Sequence, residues 1–150
     1  MAGANMDFVS VHLYDFASIN VGGSIKERYR KGNNVEATFD MLDHYSTQLF
    51  GAPKPMVISE YGGRAHTMEQ DPWSPERDWV MLKSLNSLLM AFLERPDNVL
   101  VTIPFIVLKA EWGRTTVPYN WRLMRQQFEA SGEAGNEWVY TELVRFYELW

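Results

Sequence analysis

Apolar residues fall along this chain in two alternating rhythms. Short runs occur at Asp7-Phe-Val-Ser-Val-His-Leu-Tyr14, at Met56-Val-Ile58 after Pro55, and at Asn98-Val-Leu-Val-Thr-Ile-Pro-Phe-Ile-Val107. Their β-branched content and their polar or turn-forming borders predict buried strands. Between them, apolar positions recur with a helical period. Val35, Phe39, Leu42, Tyr45 and Leu49 form one such series, with Asn33 and Asn34 as cap residues and Gly51 just past the end. Ser74-Pro75 reads as an N-cap followed by proline at the first helical position, opening a helix marked by Trp79, Leu82, Leu85, Leu89 and Phe92. Val139, Leu143, Phe146 and Trp150 give a last amphipathic stretch. The order β-α-β-α-β-α predicts an α/β fold: a parallel sheet with helices packed outside it.

The strand ends fall near Tyr14, Glu60 and Phe105, a repeat of roughly 45 residues. A full (β/α)8 barrel takes about 250 residues, whereas these 150 supply only three βα units. Three parallel strands cannot close a barrel and leave two open edges. The pattern starts almost directly on a strand and closes on Trp150 inside an apolar helical series. The expectation is therefore that residues 1–150 are roughly the second half of a barrel, whose first half would have to dock on the open edges or be replaced by self-association.

Composition narrows the chemistry. Hydrophobic residues make up 46%, ordinary for a packed core. Aromatic residues reach 14%, with six Trp and seven Tyr; in the core these are filler, the default for Phe8, Phe39 and Phe92, but on loops their faces stack on sugar rings. With 14 basic against 19 acidic residues and no basic run, nucleic acid and anionic membranes are disfavoured partners. No apolar run reaches membrane-spanning length, and Met1 is not followed by a basic-then-apolar signal segment. Absence of cysteine removes disulfides, thiolate nucleophiles and thiolate metal sites. No glycine-rich phosphate loop and no serine nucleophile elbow occurs. His12, His44 and His66 are scattered, His44 within a helical pattern at its surface, so no metal or cofactor is expected.

Carboxylate chemistry remains. Lys54-Pro-Met-Val-Ile-Ser-Glu60-Tyr-Gly-Gly-Arg64 places a charge where a buried strand stops, and catalytic groups of (β/α)8 barrels sit at such C-terminal strand ends. A buried charge is costly unless it is paired or used. The plainer alternative is that Glu60 caps the following helix or pairs with Arg64. Glycosidases use two carboxyls, one as acid/base and one as nucleophile or activator of water. An ionised nucleophile needs donors and positive neighbours. His12 and Tyr14 are two apart on a strand and so point the same way, and Arg64 lies four residues after Glu60. The alternative is a satisfied core histidine and a rim tyrosine.

The strand-end His12-Leu-Tyr14, the Pro55-Met-Val-Ile-Ser-Glu60-Tyr-Gly-Gly block and the Val101-Thr-Ile-Pro-Phe-Ile-Val-Leu-Lys-Ala-Glu-Trp112 block resemble the clan of retaining glycosidases on (β/α)8 barrels. Within it, Val9-Ser-Val-His-Leu-Tyr-Asp-Phe16, Ser59-Glu-Tyr-Gly-Gly-Arg64 and Leu85 to Pro96 are most similar to glycoside hydrolase family 86, the β-agarases and β-porphyranases. The resemblance implies strands six to eight of the barrel, retaining endo-hydrolysis of a β-linked galactan, and Glu60 as nucleophile oriented by Tyr14. On this reading His12, Arg64 and Trp112 are expected to bind sugar hydroxyls and ring faces, and Tyr61, Trp73 and Tyr119 are added as substrate-facing positions by aromatic type and loop position. It also implies a secreted, periplasmic or cell-surface setting. The family's acid/base Glu lies at the end of strand four, and β-sandwich domains follow the barrel. Neither is present here, and Asp15 and Glu111 do not match the acid/base position. The isolated chain is therefore expected to be inactive. The other readings are a glycosidase of the same clan acting on a mannan, glucan or xylan, and a non-catalytic carbohydrate-binding α/β piece.

Overall fold

The central strand, β3 (Met56–Ala65), is flanked by β1 (Val9–Val21) and β4 (Val99–Pro104), and both pair with it in parallel. The computed structural model describes residues 5–22, 24–27, 32–110 and 119–150, with backbone alone for 17–21, 25–27 and 66. The end of β1 turns back through the short antiparallel β2 (Ser24–Glu27), giving the sheet order β2-β1-β3-β4. The parallel α/β architecture expected from the alternating pattern is present. Its third strand is shorter than the apolar run, ending at Pro104, where the ring removes a ladder donor.

Helix α1 (Asn33–Phe50) joins the sheet's first two parallel strands. Gly51 closes it in the left-handed conformation at φ 80, its N–H donating to Thr47 O, the geometry that favours glycine. At the other end the cap residue is Gly32; Asn33 and Asn34 already lie inside the first turn. Val35 and Phe39 are buried, whereas Tyr45 and Leu49 of the same apolar series are exposed.

Helix α2 (Pro75–Leu93) starts as its sequence indicates: Ser74 Oγ accepts the Arg77 N–H, and Pro75 occupies the first turn. Met81, Leu82, Leu85, Leu88 and Phe92 pack on the sheet with Met56, Ile58 and Tyr61. Trp79 departs from the expected face and is 61% exposed. Gly63 is what lets α2 sit close: a Cβ there would stand 2.4 Å from Ser84 Cβ.

The closing segment differs most from expectation. Val139 belongs to a strand, β6 (Trp138–Tyr140), paired antiparallel with β5 (Met124–Gln126), and only Val144–Leu149 is helical (α3). Thr141 makes the break. Its hydroxyl donates to Arg122 O at 2.8 Å and accepts the Leu143 N–H at 3.3 Å, offering the backbone a local alternative to helix. Phe8, expected in the core, is 47% exposed.

Candidate active site

The site is made by an irregularity in β3. Between the pairs Val11↔Ile58 and His12↔Glu60, β1 advances one residue while β3 advances two. On the other side, Ile58↔Thr102 and Tyr61↔Pro104 leave β3 one residue longer than β4. Ser59 and Glu60 therefore sit in a β-bulge, which interrupts the alternation of side chains. Met56 and Ile58 face the helices before it, and Tyr61, Gly63 and Ala65 are buried after it. In a regular strand Glu60 would share the face of Ile58. The bulge turns it to the opposite one.

That face also carries His12 and Tyr14 from β1. Tyr14 O–H donates to Glu60 Oε2 at 2.8 Å, and His12 Nδ1 lies 3.3 Å from the same oxygen. The carboxylate side chain is 33% exposed and opens into a cleft of about 480 Å³. Glu60 and Arg64 are the charged lining; Tyr14, Phe16, Phe105, Tyr119 and Trp121 are its aromatic walls. Burial, followed by the hydrogen bond to Glu60 and the carboxylate's charge, pushes the Tyr14 phenol well above its ordinary range. Burial and Glu60 raise Tyr119 in the same sense. Both remain O–H donors across neutral pH.

Arg64 lines the cleft but does not pair with Glu60. Its Nε donates to Glu69 at 2.8 Å and its guanidinium lies over the Trp121 ring at 5.4 Å. Trp121 is tied in turn, its indole N–H donating to Gly63 O at 2.7 Å. Tyr119 packs on Trp121 with centroids 5.3 Å apart, and Phe105 meets both rings edge-on. Gly62 leaves room for this wall, since a Cβ there would already touch the Tyr14 ring at 3.4 Å.

Of the residues singled out in the sequence, Tyr14, Glu60, Arg64 and Tyr119 line this cleft, and His12 lies beside Glu60. Tyr61 is a correction: it is 1% exposed on the helix side of the sheet, edge-on to Phe92 at 5.0 Å, because the bulge carries it across. Trp73 also lies away from the cleft lining, where its indole N–H donates to Asp78 and Arg125 stacks on its ring at 4.0 Å. Trp112 and Glu111 fall outside the described residues. Asp15 is 3% exposed and shares the buried face of Leu13, so Glu60 is the only carboxylate among the described residues lining the cleft. Phe16, Phe105 and Trp121 were missed; the Asn-Trp pair after the third strand was the one available signal for Trp121. No cluster of three or more His, Cys, Asp or Glu suited to a metal occurs among the described residues.

No family model matches the chain. It is 52% identical over 151 residues to a beta-agarase of Pseudoalteromonas atlantica, covering 99% of this chain and 28% of that protein. It is likewise 52% identical over 153 residues to a funoran endo-beta-hydrolase of Wenyingzhuangia aestuarii, covering 100% of this chain and 20% of that one. Among solved structures, BuGH86wt in complex with neoagarooctaose superposes with a TM-score of 0.88 at 46% identity, over 99% of this chain and 24% of that one. BpGH86A, a beta-porphyranase of glycoside hydrolase family 86 from the human gut bacterium Bacteroides plebeius, gives 0.75 at 34%, over 99% and 25%. The chain thus spans about a quarter of the length of the relatives it matches. In sequence and in fold it is a relative of glycoside hydrolase family 86.

Proposed function

We propose that these residues are the nucleophile-bearing part of a retaining β-galactan endo-hydrolase, and that they form the C-terminal portion of a (β/α)8 barrel. The observation that carries the reading is Glu60 itself: a half-buried carboxylate in the bulge of a parallel strand that runs on to Ala65, not at the strand's end as the sequence suggested, hydrogen-bonded by Tyr14 and facing an aromatic-walled cleft. Similarity to proteins named beta-agarase and funoran endo-beta-hydrolase supports galactan as the substrate class.

In the proposed reaction a Glu60 oxygen attacks the anomeric carbon as the glycosidic C–O bond breaks, and a separate acid protonates the departing oxygen. Water then attacks the glycosyl ester, its proton passing to that same group acting as base, and Glu60 leaves as carboxylate. Tyr14 holds Oε2 during the first step and keeps its own proton because burial and Glu60 disfavour the phenolate. The aromatic walls would stack sugar faces and exclude water. The acid/base comes from outside these residues, about 5–5.5 Å from Glu60 in a retaining site. Gel-forming polysaccharide is met outside the cytoplasm, which is where this reading puts the protein.

Glu60→Gln in the native protein tests the reading. Loss of turnover on agarose, funoran and porphyran by about a thousandfold or more, with binding kept, is expected for removal of a covalent nucleophile. Retention of most activity, or first-formed products of inverted anomeric configuration by NMR, would refute it.

A further inference from the structure

We propose that Ser59 and Ser10 are positioning residues that lock the β3 bulge and so set the aim of Glu60; this rests on the nucleophile reading above. The bulge is the reason Glu60 faces the cleft, because the ladder alone would put it beside Ile58 under α2. A bulge shifted by one residue exchanges the faces of everything between its two positions. Backbone pairing distinguishes such registers weakly, so a side-chain contact at the bulge itself has leverage.

Ser59 supplies one. Its hydroxyl lies 2.7 Å from the Ser10 hydroxyl, across the strand boundary and 49 residues away in sequence. Ser10 is followed on the same face of β1 by His12 and then Tyr14, the two groups that touch Glu60. Three successive side chains of one strand thus engage the two bulge residues of the next. The first pair holds the bulge; the other two meet the carboxylate it presents. Serine suits the role by size and chemistry: it reaches the neighbouring strand, both donates and accepts, and adds no charge beside Glu60. Neither hydroxyl is assigned to substrate.

A small error in aim is enough to matter. Displacing a reacting group by about 1 Å can cost about a hundredfold in rate without weakening substrate binding. The experiment measures kcat and KM for Ser59→Ala, Ser10→Ala, the double variant and Ser59→Thr in the native protein. The substrate is whichever of agarose, funoran or porphyran the unaltered protein cleaves fastest. The expected result is a fall in kcat of about tenfold to a hundredfold for each alanine variant with KM within about twofold. The double variant should be no worse than either single, and Ser59→Thr, which keeps the hydroxyl, should stay near the unaltered rate. If Ser59→Ala does not fold, Ser10→Ala against the unaltered protein carries the same comparison. An unchanged kcat in the alanine variants, a lowered melting temperature alone, or losses that multiply in the double variant would overturn the proposal. Glu60→Gln run alongside separates the two readings: its inactivity combined with indifferent serine variants removes only the role given to the serines.

Discussion

Tyr14 contributes to Glu60 through one O–H and little packing, which makes the pair separable. Its ring lines the cleft and its hydroxyl donates at 2.8 Å, so Tyr14→Phe should fold normally while freeing Glu60 to turn. A kcat reduced by about tenfold to a hundredfold, with the melting temperature within about a degree or two, is the expected outcome. An unchanged kcat would assign the orientation of Glu60 to His12 instead. Since the Tyr14 phenol is raised, any alkaline decline of activity near pH 9 to 10, where an ordinary tyrosine ionises, should persist in Tyr14→Phe. At this scale the site was partly legible. The i, i+2 spacing of His12 and Tyr14 and the carboxylate ending a β-branched run are local features, and they pointed to three side chains that the structure brings into contact. Tyr61 was misplaced because aromatic type and an expected loop position say nothing of the strand that continues through it or of the bulge that turns it to the helix side. Trp121 was missed because its position depends on a bond to Gly63, fifty-eight residues earlier.

Elements meet most tightly where β3 crosses α2. Gly63 presents its Cα to Ser84, and an added methyl would stand 2.4 Å from Ser84 Cβ. Gly63→Ala should therefore destabilise the protein by about 1–3 kcal/mol through overpacking. Ser84→Gly should recover much of that loss in the double variant, and additive effects in thermal unfolding would disprove the contact. The start of α2 carries a second liability. Asp78 is 0% exposed, accepts from Trp73 Nε1 at 2.9 Å and from Glu142 N at 3.0 Å, and lies beside Arg77. Burial outweighs these partners and raises its carboxyl from 3.8 to about 6. The folded state therefore holds the proton more tightly than the unfolded chain. Its contribution falls as pH rises from about 4 to about 6 and is flat above, a span of about 3 kcal/mol. Asp78→Asn should remove that slope from a plot of melting temperature against pH; an identical slope would assign it elsewhere. The helices themselves were readable, since Ser74-Pro75 and Gly51 are local stop and start signals. The β5–β6 pair was not, because Val139 keeps a helical spacing to Leu143 while the break is made by the side chain of Thr141.

Across the whole molecule, the described sheet is open. β4 is its last strand, and the Val9–Asp15 part of β1 has no strand partner on its outer side among the described residues. Leu100, Val101 and Ile103 are about half exposed along the β4 edge, and Leu93 beside them is 57% exposed. A groove of about 240 Å³ between α2 and β4 continues this apolar strip. An unpaired, apolar strand edge is a template for further pairing. In a closed barrel the strip would be covered by another βα unit, which agrees with relatives about four times as long. The two settings give opposite expectations for one substitution. Val101→Lys places a charge on the free edge, where lysine discourages strand addition. In residues 1–150 alone, which should associate at micromolar concentration, it should shift the population toward monomer in sedimentation velocity runs. Within the native protein the same lysine would be buried against the covering strand, and its melting temperature should fall, consistent with a cost of several kcal/mol for an unpaired buried charge. A sharp, cooperatively melting monomer of residues 1–150, indifferent to Val101→Lys, would mean the edge is finished as it stands and the barrel reading is wrong.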